Sequence, residues 1–137
     1  MIILDTNVLS ALRRTERAPQ VARWLAAQED AALRITSITI GEIERGIAMQ
    51  ERRDPQFAAD LRQWIDRTML LFGARILPFG ADEARIWGRL SARLGHDGAD
   101  LMIAACALSH DAVIATRNIA DFAPTGARLV DPFAAVP

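Results

Sequence analysis

The chain has 137 residues, 51% of them hydrophobic and 24% charged, with a formal net charge of −1. This is the size and composition of one globular domain with a real core, and it excludes both a disordered chain and a global basic field that would draw in nucleic acid. All 16 positive side chains are arginine, and the lack of lysine excludes a phosphate-binding P-loop and Schiff-base chemistry.

Ile2 to Leu4 is a short apolar run, predicted as a buried strand ending at Asp5. The opening Met-Ile-Ile-Leu-Asp has no basic segment and too few apolar residues before the first charge to serve as a signal peptide. Thr6 to Arg14 and Pro19 to Gln28 read as helices, with Pro19 suited to a first turn. Leu33 to Thr36 is a second strand, and Thr39 to Glu51 a helix with Ile40, Ile43 and Ile47 on one face. Pro55 to Phe72 continues helically, offering Phe57, Leu61, Trp64, Ile65 and Leu71 to the core. Arg75 to Phe79 is a third strand, and Ala81 to Leu94 a helix carrying Ile86, Trp87 and Leu90.

Gly95-His96-Asp97-Gly98 breaks the chain, and Ala99 to Ser109 is apolar almost all round, hence a deeply buried helix. Leu101 to Ser109, the longest apolar run, is far short of the ~20 residues that span a bilayer. Ala112 to Ala115 and Ala127 to Val130 complete five short strands, and the tail from Asp131 to Pro137 reads as frayed. Strands alternating with helices predict a single α/β domain over residues 1–137, built on a five-stranded, mainly parallel sheet with helices on both faces. The single cysteine, Cys106, fits a reducing compartment, so a cytoplasmic protein is expected.

In such sheets ligands gather at the carboxyl ends of the strands, where helices begin. Four acids fall at such places: Asp5, Glu42, Asp100 and Asp121. Each also has an innocent reading. Asp5 could cap the first helix; Thr39 and Glu42 have the spacing of a capping box; Asp100 follows Asp97 by three, and Asp121 follows Asn118 by three in a turn-like segment. A cap needs only an oxygen, however, and serine or asparagine would serve as well. Negative charge recurs at one strand outlet after another, and if those outlets share an edge the carboxylates would repel and raise each other's pKa unless a cation intervenes. Oxygen ligands without a histidine or cysteine cluster point to Mg²⁺ or Mn²⁺ rather than zinc, the usual equipment for in-line attack on a phosphodiester.

Asp5-Thr6-Asn7-Val8-Leu9, Gly41-Glu42-Ile43-Glu44-Arg45-Gly46-Ile47, Asp100-Leu101-Met102-Ile103-Ala104-Ala105 and Thr116-Arg117-Asn118-Ile119-Ala120-Asp121-Phe122 occur in the order found in PIN domains. The chain resembles the VapC-type toxins and FitB-like proteins of that family over nearly its whole length. The resemblance implies Asp5, Glu42, Asp100 and Asp121 as a catalytic, metal-holding quartet, with Asn7, Thr116 and Asn118 as supporting polar groups. It also implies a homodimer and a Mg²⁺- or Mn²⁺-dependent endoribonuclease that cuts RNA by metal-activated water. As the toxin of a toxin–antitoxin module, it would be restrained by a cognate antitoxin and would meet DNA only through that partner, with no membrane role. Asp121 sits in a loop and is the softest member of the four.

Other residues have plainer readings. Glu44, two positions from Glu42, faces away from it and suits a surface or interface; Arg45 could pair with Glu42 or touch a phosphate. His96 and His110 lack a partner at ligand spacing, and Cys106 reads as a small hydrophobe. Trp24, Trp64 and Trp87 suit core or dimer packing. Arg13-Arg14-Arg17 and Arg52-Arg53 read as solvated faces, unless they flank the acids and supply phosphate contacts. A haloacid-dehalogenase-type phosphatase would want an acid where Asn7 stands, and a lysine; a receiver domain also needs the lysine. The surviving alternative is a non-catalytic PIN-like interaction module acting through dimerisation and antitoxin binding.

Overall fold

A computed structural model describes residues 1–134, and the expectation of a frayed tail lies outside the described residues at 135–137. The elements run β1 (Ile2–Leu4), α1 (Thr6–Ala11), α2 (Pro19–Ala26), β2 (Leu33–Thr36), α3 (Ser37–Gln50), α4 (Pro55–Phe72), β3 (Ile76–Leu77), α5 (Ala81–Leu94), α6 (Ala99–His110), β4 (Val113–Ala115), α7 (Ile119–Phe122) and β5 (Arg128–Val130). The five strands form one sheet in the order β3-β2-β1-β4-β5, and every pairing is parallel.

Period-two alternation along the strands divides the core into two layers. Leu4, Leu33, Ile35 and Ala115 pack on one face against Val21 and Leu25 of α2, Ile43 and Ile47 of α3, and Ile65 and Phe72 of α4. Ile3, Leu77 and Ile114 pack on the other against Leu90 of α5, Ile103, Ala104 and Ala107 of α6, and Phe122 of α7. Helix α6 is buried nearly all round, as its composition predicts. None of the helices described is long and apolar enough to cross a membrane.

The strand order places a switch point beside β1. From β1 the chain winds outward through β2 to β3, then returns to lay β4 on the opposite side of β1. The carboxyl ends of β1 and β4 therefore adjoin, the place where an open sheet opens a crevice. The Asp5 N–H donates to the Ala115 carbonyl at 2.9 Å and carries the ladder up to that edge.

Four expectations need correction. The first helix ends at Ala11; a 3-10 segment (Leu12–Arg17) follows, with its backbone broken at Arg14 (φ −138°, ψ 78°). The third strand is two residues rather than Arg75 to Phe79, because only Ile76 and Leu77 pair with β2 before Pro78. Leu71 is exposed: Ile65, Thr68 and Phe72 form the buried stripe of α4, and Leu71 lies off it. Over Asp131 to Ala134 the tail is packed rather than frayed. Phe133 packs on the core, its N–H donating to Asp131 Oδ1 at 2.9 Å, and Pro132 is buried.

Candidate active site

Each of the four predicted acids stands at the same edge of the sheet, delivered by a different turn of the chain. Asp5 immediately follows β1. Thr116 immediately follows β4 and, because β1 and β4 pair, comes alongside it. Helix α3 rises from the end of β2 and carries Glu42 in its second turn. Helix α6 descends antiparallel to the strand it feeds, so its first turn, with Asp100, returns to this edge. Asp121 lies in the short α7 after β4.

Asp5 is buried and held by three donors. Thr116 Oγ1 donates to Oδ2 at 2.7 Å, Asn7 Nδ2 to the same oxygen at 3.2 Å, and the Thr6 N–H to Oδ1 at 2.8 Å. These bonds favour its ionised form. Burial outweighs them and holds its pKa above the usual carboxylate range. The supporting groups are themselves fixed: Asn7 Oδ1 accepts from the Arg117 N–H at 3.2 Å, and Thr116 Oγ1 accepts from the Asn118 N–H at 2.9 Å. Asn7 and Thr116 are thus both brought onto the Asp5 carboxylate. Asn118 contributes backbone; its side chain makes no cap bond.

Thr6, to which the sequence alone assigns no role, is the link between two acids. Its N–H binds Asp5, and its hydroxyl donates to Glu42 Oε1 at 2.8 Å. The buried Thr39 hydroxyl lies 3.2 Å from that of Thr6. The available signal is a hydroxyl residue directly after an acid at a strand outlet, inside a motif whose polar weight falls on Asp5 and Asn7.

Asp100 registers the whole group. Its carboxyl is pushed up to about 6, first by burial and then by the charges of Asp5, Asp121 and Glu42, with His96 pulling weakly the other way. The capping alternative, by contrast, survives only at Asp5, which caps α1. The cap of α3 is Thr36, whose hydroxyl accepts from the Thr39 N–H at 3.3 Å, so Thr39 and Glu42 are not a capping box. Gly98 caps α6 and Asn118 caps α7, neither with a side-chain cap bond.

Among the described residues, no three Asp, Glu, His or Cys side chains are gathered tightly enough to form a metal's ligand shell as they stand. Glu42 and Asp121 are exposed at the rim, whereas Asp5 is fixed and buried. The donor set still fits a hard divalent cation: it is oxygen-only, and its mutual repulsion is the kind such an ion relieves.

The plainer readings hold elsewhere. Glu44 pairs with Arg62 at 3.4 Å, on the surface. His96 Nδ1 accepts from the Gly98 N–H at 3.3 Å within the turn. Cys106 is buried, and burial, with the charge of Glu83, pushes its thiol up to about 11. Trp24 and Trp64 pack against the first core layer.

Four similarities bear on this fold. Toxin FitB of Neisseria gonorrhoeae is 30% identical over 139 residues, covering 97% of this chain and 99% of FitB. VapC ribonuclease Y4jK of Sinorhizobium fredii is 32% identical over 140 residues, covering 97% of this chain and 98% of that protein. The crystal structure of FitAcB from Neisseria gonorrhoeae superposes with a TM-score of 0.85 at 28% identity, covering 98% of this chain and 100% of the matched chain. The model of the PIN domain matches residues 2–124, a span that takes in all four acids and both threonines that bind them. With a parallel sheet in this order and its acids at the β1–β4 crevice, the chain belongs to the PIN domain family.

Proposed function

We propose that this protein is a Mg²⁺- or Mn²⁺-dependent endoribonuclease and the toxin of a toxin–antitoxin module. The observation that supports the reading is the raised carboxyl of Asp100, on which burial and then the charges of Asp5, Asp121 and Glu42 act together. The names of the relatives, a ribonuclease and a toxin, support the substrate class and the biological role.

Asp5, Glu42 and Asp100 would hold the ion, with Asp121 completing the set. When bound, such an ion supplies Lewis-acid activation of water and charge relief for the leaving oxygen. The chain's own part is positioning. Three donors hold the Asp5 carboxylate, Thr6 steadies Glu42 from the next backbone position, and Asp100, at the start of α6, would ligate as the carboxylate. No nucleophilic side chain is required. A homodimer and a cognate antitoxin, with DNA contacted only through that antitoxin, belong to the same reading.

The alternative, a non-catalytic PIN-like module, draws on one observation: the acids are not drawn into a compact shell. One assay separates the two. Total RNA is incubated with the purified protein in Mg²⁺ or Mn²⁺, with and without EDTA, and the cut ends are sequenced. Cleavage that EDTA abolishes and Asp100→Asn removes supports the nuclease; RNA left intact by the native protein in both metals supports the module.

A further inference from the structure

Net charge −1 gives the molecule no general attraction for RNA, and the four carboxylates repel phosphate from the very edge where it would be cut. A substrate must be held there by local cations, and one group of them adjoins the acids. Arg13, Arg14 and Arg17 from the 3-10 segment after α1 and Arg117 from the β4–α7 connection line a single groove of about 270 Å³, together with Asn7 and Phe133. Among the described residues no acidic side chain lines it. The non-helical backbone at Arg14 bends this segment so that it does not continue α1.

Among the described residues none of these four arginines forms an ion pair; the bridges present engage Arg62 and Arg128. Two are instead held by aromatic faces. The Arg13 guanidinium lies 5.1 Å from the centre of the Phe57 ring, and that of Arg117 lies 3.8 Å from Phe133. A stacked guanidinium keeps its plane while its N–H edge remains available, the arrangement that suits phosphate oxygens. The groove also touches the acid site directly. Asn7 lines it, donates to Asp5 and accepts from the backbone of Arg117, so the cations begin one side chain away from the innermost carboxylate.

We infer that the groove of Arg13, Arg14, Arg17 and Arg117 binds the phosphodiester backbone of single-stranded RNA and leads the strand past Asn7 to the acids. This rests on the nuclease reading, and it adds where the substrate lies and what holds it. An acidic protein segment would satisfy the same charges, but only a phosphodiester strand needs to run on into the carboxylate pocket.

The test is binding of a fluorescently labelled single-stranded RNA oligonucleotide to the whole protein in EDTA, followed by anisotropy across a salt series. Arg14→Gln and Arg117→Gln, alone and together, are compared with Arg85→Gln/Arg89→Gln on α5, remote from the groove. The groove pair should bind at least about tenfold more weakly and flatten the slope of log K against log salt by about 0.7 for each phosphate no longer neutralised. The α5 pair should stay within about twofold. Should Arg117→Gln unsettle Phe133 and the fold, Arg14→Gln alone decides. Native-like affinity and slope in the groove variants, equal weakening in the α5 pair, or no RNA binding by the native protein overturns the inference. So does a groove variant that keeps RNA but loses an acidic peptide. If the native protein binds RNA through the groove yet leaves it uncut in Mg²⁺ or Mn²⁺, the nuclease reading fails and the groove stands.

Discussion

Asp100 is where chemistry and stability meet. Its folded-state pKa of about 6 lies above the ordinary 3.8, so the native state holds this proton more tightly than the unfolded chain. The stabilisation of the neutral form is fully present below pH 3.8 and is lost as pH rises through 6. In EDTA the native protein should therefore lose melting temperature across this window relative to Asp100→Asn, and at pH 7 the variant should melt a few degrees higher. A melting-temperature series from pH 4 to pH 8 checks this; equal curves at every pH would contradict it. Asp100→Asn should also lower RNA cleavage by at least about 100-fold, more than loss of a supporting residue. Thr6→Val keeps the N–H on Asp5 and loses the hydroxyl contacts to Glu42 and the buried Thr39, so at equal folded fraction it should cut cleavage about 10- to 100-fold while lowering the melting temperature slightly. Asp5 is legible in the sequence because it directly follows a strand, whereas Asn7 and Thr116 enter only through the resemblance to PIN domains. Thr6 is not legible, since which neighbour its hydroxyl meets depends on where α3 lies, 36 residues further along the chain.

The longer helices are the most legible elements, because an apolar stripe at helical spacing fixes both their type and their inner face. Their ends are less so. Thr36 and Thr39 each could open α3, and the choice falls to Thr36 because β2 ends there and its hydroxyl is free to turn onto the Thr39 N–H. That shift of one turn removes the capping role from Glu42 and leaves it available to the site. The short α7 reads as a turn in the sequence because four residues carry no periodicity, yet Phe122 anchors it in the second core layer. At α4 the cap is exposed and remote from the acids: Asp54 Oδ1 accepts from the Phe57 N–H at 3.0 Å. Asp54→Ala should cost about 1 kcal/mol in chemical denaturation, with RNA cleavage unaffected. A loss of cleavage at equal folded fraction would show that the cap matters to the site, by way of Phe57 and the Arg13 guanidinium stacked on it.

At the scale of the molecule, the α/β class and the parallel sheet follow from alternation of strands and helices, but the order β3-β2-β1-β4-β5 does not. Local pattern says that Ile2–Leu4 is a strand; only the packing of both faces makes it the central one and sets Thr116 beside Asp5 across 111 residues. Convergence of the acids is thus a property of topology, and the sequence shows only that each stands near a strand end or in the early turns of a helix. The same reasoning explains the tail, whose Phe133 finds Arg117 only after β4 and β5 are paired. If the four carboxylates form one cation site, a divalent ion binds the folded state alone, and at 100 times its dissociation constant it stabilises by about 2.7 kcal/mol. The most direct measurement is a calorimetric titration of Mn²⁺ into the native protein and into Asp100→Asn. Saturable binding by the native protein that disappears in the variant, with a matching rise in melting temperature only in the former, is the expected result. Undiminished binding in Asp100→Asn, or none in the native protein up to millimolar Mn²⁺, would contradict a shared site.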